Sequence, residues 1–146
     1  MKRFTGMVLV LVSCSTTEER VDWRSEGTGL MSGIEDKKRG GAHFREAAAY
    51  DEFRKSHARV VGTSKLDTRS EPLPDFDFAS RELVLVWGGT MARSVEIVAV
   101  RDGIVEAKEI LPNYDEEMVA RMINVGTYKA ISIPRGAKPV EVRWVR

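Results

Sequence analysis

The sequence has one cysteine, Cys14, and two histidines, His43 and His57, in 146 residues. A lone cysteine excludes an intrachain disulfide and a thiolate zinc site, which two histidines alone cannot complete. An excess of either charge is also missing. Lys and Arg number 23 against 22 Asp and Glu, a formal net charge of +1. That balance argues against a nucleic-acid binder, which shows a basic patch or stripe. No apolar run approaches the roughly 20 residues of a membrane-spanning helix. What remains is an ordinary globular composition, 42% hydrophobic and 31% charged. The length suits one domain, which buries roughly two-thirds of its unfolded surface and needs no staple.

The first fourteen residues are ordered by chemistry. Lys2 and Arg3 are cationic, 4–12 is apolar apart from Thr5 and Gly6, and small Ser13 precedes Cys14. Positive, apolar, small is the order of a secretory signal. The competing reading makes 7–12 a buried strand and Cys14 a small core residue. Against it, the next residues, 15–20, are wholly polar. Leu11-Val12-Ser13-Cys14 resembles the lipobox of bacterial lipoprotein precursors. In those precursors the cysteine sulfur receives a diacylglycerol and the peptide before it is cleaved. The resemblance implies lipid attachment at Cys14, and Ser15 after it resembles the pattern sent to an outer membrane. Loss of Lys2 and Arg3 would take the formal charge from +1 to −1, so charge would not help the anchoring.

Residues 14–20 read as a solvated tether and 21–31, rich in glycine, as an irregular first strand. The segment 35–41 reads as a charged turn. Over 44–57, Ala47, Tyr50, Phe53 and His57 recur at spacings of three and four, which predicts a helix. Asp51 and Lys55 are spaced for an i,i+4 pair on its other side. Gly62 ends that pattern, and 63–74, with Pro72 and Pro74, reads as a loop. Beyond it the period becomes two. Residues 82–87 are apolar on both faces, as in a central strand. Strands follow at 94–100 and 104–111, joined by an Asp102-Gly103 turn, then at 128–133 and 140–145. Residues 112–115 read as a turn, and 118–125 fits a strand or a helix. Strands at this spacing predict an α+β, mainly β fold. It is an antiparallel meander or a small sandwich-like sheet, covered by one helix at about 44–57. The organisation expected is a signal peptide over 1–13, a tether over 14–20 and a single β-rich domain over 21–146.

Motifs for chemistry are sparse. There is no Gly-x-Ser-x-Gly, and an acylated Cys14 is no nucleophile. Asp75 and Asp77 alternate like the start of a calcium loop, but Ser80 and Val86 stand where Gly and Glu are needed. Gly27, Gly29 and Gly33 are one residue off the dinucleotide spacing. The run 115–117 reads as a solvated turn. Trp23, Trp87 and Trp144 read as core or interface aromatics, His57 as a packing or capping residue, and His43 as a surface or capping one. The feature open to function is the loop Gly88, Gly89, Thr90, Met91, Ala92, Arg93. Two glycines admit a close backbone approach, Met91 is an adaptable apolar contact and Arg93 suits an interface. A plain wide turn is the competing reading.

The stretch Asp77-Phe78-Ala79-Ser80-Arg81-Glu82-Leu83-Val84-Leu85-Val86, the Gly loop, Val95-Glu96-Ile97, and Tyr128-Lys-Ala-Ile-Ser-Ile-Pro134 together resemble the PrcB C-terminal domain. That family is named for a protease complex subunit. The likeness spans about 40–145 and includes an aromatic-bearing helix around Tyr50 and Phe53. The family loop reads Thr-Gly-Gly-Tyr, whereas this one has no Tyr. The resemblance implies a secreted or anchored, β-rich accessory or interaction domain, with no catalytic residues. The function expected is therefore a membrane-anchored envelope lipoprotein that binds another envelope protein, such as a protease. It needs no cofactor, metal or nucleic acid, and its contact runs through Gly88, Gly89, Thr90, Met91 and Arg93 or a sheet edge. The alternatives are a purely structural spacer and a hydrolase built on His57.

Overall fold

The computed structural model describes residues 20–35, 38–62, 67–90, 92–111 and 124–146. The run 81–87 explains the architecture. It forms a strand, β5 (Arg81–Trp87), whose five middle residues are all buried. A strand presents alternate residues to opposite faces, so β5 must be covered on both sides. On one face Leu83 and Leu85 join a core with Met31, Phe44, Tyr50 and Tyr128. On the other, Val84 and Val86 join a second core with Val95, Ile97, Val105 and Ile131.

The first core lies under the helix α1 (Ala47–Arg54), which buries Tyr50. The second lies between two sheets. The large sheet runs β2 (Gly40–Phe44), β5, β8 (Val125–Pro134), β1 (Arg24–Ser32), β3 (Ala58–Val61), β4 (Arg69–Pro72), all antiparallel. The small sheet runs β6 (Ser94–Arg101), β7 (Ile104–Ile110), β9 (Glu141–Val145). In it β6 and β7 pair antiparallel, while β7 and β9 are parallel. Among the described residues the fold is thus mainly β with one helix, in three layers: helix, large sheet, small sheet. Of the two arrangements expected, the sandwich-like one holds. A meander does not, because β5 and β8 are neighbours although β6 and β7 separate them in the chain.

Several boundaries differ from expectation. The helix spans Ala47–Arg54, not 44–57. Phe44 closes β2 opposite Leu83, and His57 lies beyond the helix end. Ala47 is exposed, so the buried face is Tyr50 with half-buried Phe53. Asp51 does not pair with Lys55: Lys55 reaches Glu52 at 2.6 Å and Arg54 reaches Asp51 at 3.5 Å, both at a spacing of three residues instead of four. Gly40 and Gly41, read as a turn, begin β2. Arg69–Pro72, read as loop, is the edge strand β4, and Pro72 is tolerated at the edge. The glycine-rich first strand is β1, with a register shift between Ser25 and Gly27. Gly27 has φ 154 there, a conformation side chains rarely adopt. The Asp102-Gly103 turn joins β6 to β7 as expected, with Gly103 at φ 80. The expected turn at 112–115, and nearly all of 118–125, lie outside the described residues, as do the proposed signal 1–13, Cys14 and the tether up to residue 19.

Candidate interaction surface

The loop between β5 and β6 carries the chain from the large sheet to the small one. Gly88, Gly89 and Thr90 are buried, Ala92 is buried and Arg93 is exposed. The loop's backbone donors bond inward. Gly88 N–H donates to the Thr127 carbonyl at 3.0 Å, and Gly89 N–H to Glu109 Oε1 at 2.9 Å. Ala92 N–H closes a turn on the Gly89 carbonyl at 3.0 Å, and Thr127 Oγ1 donates to the Ala92 carbonyl at 3.2 Å. The glycines serve closeness of packing: a Cβ on Gly88 would stand 2.6 Å from the Ala92 Cβ, and one on Gly126 2.7 Å from the Gly88 carbonyl oxygen. Met91 lies outside the described residues.

The outward part of the loop is Arg93. Its N–H donates to the Ile110 carbonyl at 2.7 Å, which sets Arg93 beside the end of β7 and the next residue, Leu111. Leu111 is 60% exposed, the most exposed large hydrophobic among the described residues. An exposed leucine beside an exposed arginine is a usable contact point, since arginine and aromatic groups anchor interfaces. In the sequence Leu111 ends a strand eighteen residues after Arg93, and nothing local joins the two. Only the pairing of Ser94 with Ile110 across the hairpin brings them together.

The two histidines occupy different settings. His57 is half-buried, stacked on Phe53 with centroids 3.8 Å apart and planes 1° apart. Its Nδ1 lies 3.1 Å from the Phe53 carbonyl, an approach that requires the nitrogen to donate. That carbonyl, at the helix end, also accepts the Ser56 N–H at 3.2 Å, so His57 adds a second bond to it. Among the described residues no carboxylate pairs with His57. Among the described residues the imidazole–carboxylate pair is His43 with Glu82, their side chains 9% and 4% exposed. His43 was expected at the surface or as a cap; β2 instead carries it inward.

Among the described residues the buried phenols are Tyr50 and Tyr128. Burial pushes Tyr50 up to about 12, against a partial lowering by the Arg54 guanidinium over its ring. Burial raises Tyr128 as well. Among the described residues there is no group of three or more His, Cys, Asp or Glu able to hold a metal ion. No described helix is long and apolar enough to cross a membrane. Comparison with family models, with curated proteins and with solved structures finds no match to this chain.

Proposed function

We infer that this chain is a lipid-anchored protein of the bacterial envelope, facing the periplasm or the cell surface, whose β-rich part binds another envelope protein. The observation that carries the reading is the order at the start of the sequence: Lys2-Arg3, an apolar run over 4–12, Ser13, then Cys14. Two or three acyl chains on Cys14 would hold the protein to a bilayer, since each buried methylene adds about 0.8 kcal/mol and one chain alone is reversible. The resemblance of 40–145 to the PrcB C-terminal domain supports an accessory role beside a protease. The contact is assigned to the Arg93–Leu111 corner, with Met91 between the buried glycines and Arg93 in the chain.

Metabolic palmitate labelling of wild type and Cys14→Ala tests the anchor. Label on the wild type alone is expected; an unlabelled wild type, recovered with its initiator methionine, overturns it. Cross-linked pull-down from the envelope tests the module. Arg93→Glu with Leu111→Asp is expected to lose the partner that wild type recovers. Unchanged recovery removes this corner from the account.

A further inference from the structure

A second apolar feature lies where the folded chain begins. At Arg20 the chain forms an antiparallel bridge with Arg101 of β6. From there Val21 and Trp23 run along β6 and line a groove with Val98, Val100 and Arg101. Trp23 is 36% and Val98 50% exposed. The exposure of Val98 has a local cause. β6 pairs Ile97 with Ala107 and then Ala99 with Glu106, so Val98 is skipped in the register. Such a bulge re-aims the extra side chain, here outward on the edge strand of the small sheet.

We propose that this groove is the face the domain lays on a phospholipid bilayer, with Trp23 and Val98 at the lipid–water boundary and Arg20 and Arg101 toward lipid phosphates. The inference rests on the anchor at Cys14. Cys14 precedes Arg20 by six residues, and six residues span at most about 20 Å when fully extended. An acylated Cys14 therefore keeps Arg20, and the groove it lines, within that distance of the membrane. Contact then becomes intramolecular, so a patch too weak to bind alone is still occupied. The chemistry suits that occupant. Tryptophan is enriched at the headgroup level because its ring is apolar and its N–H polar. Both charged residues lining the groove are arginines, and guanidinium matches phosphate geometry. Arg101 also pairs with Glu106 at 3.2 Å, which holds it at this edge.

The test uses the full lipidated chain, extracted and reconstituted into phosphatidylethanolamine–phosphatidylglycerol vesicles, part of whose acyl chains are brominated. Tryptophan fluorescence is read for wild type, Trp23→Phe, and Arg20→Glu with Val98→Glu. Palmitate incorporation and thermal melting are followed in parallel. In wild type a bromolipid-quenched component is expected, absent from Trp23→Phe. In the double variant it should fall about threefold or more, with label and melting unchanged. Equal quenching in wild type and Trp23→Phe, with label intact, overturns the face and leaves the anchor standing. So does an unquenched Trp23 that cross-links to a second copy or another protein. An unlabelled wild type overturns the anchor and this face together.

Discussion

His43 Nε2 lies 2.8 Å from Glu82 Oε1 in a site almost closed to solvent. The pair is oriented from both ends. Val140 N–H donates to His43 Nδ1 at 3.1 Å, so Nε2 must carry the proton that bonds the carboxylate. Gly136 N–H donates to Glu82 Oε2 at 3.2 Å, and Arg45 Nε stands 3.6 Å from Oε1. The network joins β2 and β5 of the large sheet to the segment that leads into β9 of the small one. Removing His43 takes one hydrogen bond from a buried carboxylate that keeps Arg45 and the Gly136 N–H, at about 1.5–3 kcal/mol. His43→Ala is expected to lower unfolding stability by about 2 kcal/mol, read by urea titration. The double variant with Glu82→Ala should cost less than the two single costs added. Strict additivity would show that the two residues do not act together.

The crossing from β5 to β6 is tight against backbone. Gly126→Ala places a Cβ 2.7 Å from the Gly88 carbonyl oxygen and 2.9 Å from Ile34 Cδ1. Backbone cannot rotate away as a side chain can, so the strain falls on the sheet. Gly126→Ala should destabilise by about 1–3 kcal/mol, the range of overpacked interiors. Gly29→Ala is the control, since its closest neighbour is the Tyr128 ring edge at 3.3 Å. It should cost clearly less in the same melt, and equal losses would mean the carbonyl contact is not the cause.

The Arg93–Leu111 corner predicts the opposite pattern. Both residues are exposed, and substitutions away from buried features usually stay within about 0.5 kcal/mol. Arg93→Glu with Leu111→Asp should therefore melt near wild type while losing the envelope partner. A large drop in melting temperature would assign the corner to folding instead of recognition.

How far these features could be read in the sequence depends on how strongly local pattern opposes or agrees with tertiary pairing. β5 to β7 and β9 were legible because period-two alternation and Asp102-Gly103 agree with the fold. β2 was hidden because Gly40-Gly41-Ala42 lacks the branched side chains that mark strands; it forms because β5 offers a free edge. β4, Arg69-Ser-Glu-Pro72, is polar since it closes the sheet at an exposed edge. The helical pattern overreaches because Phe44, a strand residue, stands three residues before Ala47 and so extends the spacing; it packs on the helix from β2, 5.3 Å from Tyr50 and 5.1 Å from Phe53. At the candidate surface the glycine loop was visible as a loop. The inward turn of Gly88 and Gly89 was not, because it depends on Thr127 and Glu109, far along the chain.

Tyr50 gives the pH dependence. It is 2% exposed, donates to the Pro74 carbonyl at 2.7 Å, and packs on Phe44 and Phe78. Burial disfavours the phenolate, which pushes the group from 10.0 up to about 12. The folded state thus holds its proton where the unfolded chain gives it up. This contribution is fully present below pH 10 and is lost as pH rises from 10 through about 12. Its size is on the order of 2–3 kcal/mol. Absorbance titration of phenolate in the folded protein should show a late component, coinciding with alkaline unfolding. Tyr50→Phe deletes one hydroxyl and one hydrogen bond, at about 1 kcal/mol at neutral pH. It should also flatten the fall in stability between pH 10 and 12. A variant whose stability falls across that window as steeply as wild type would mean another group carries the alkaline transition.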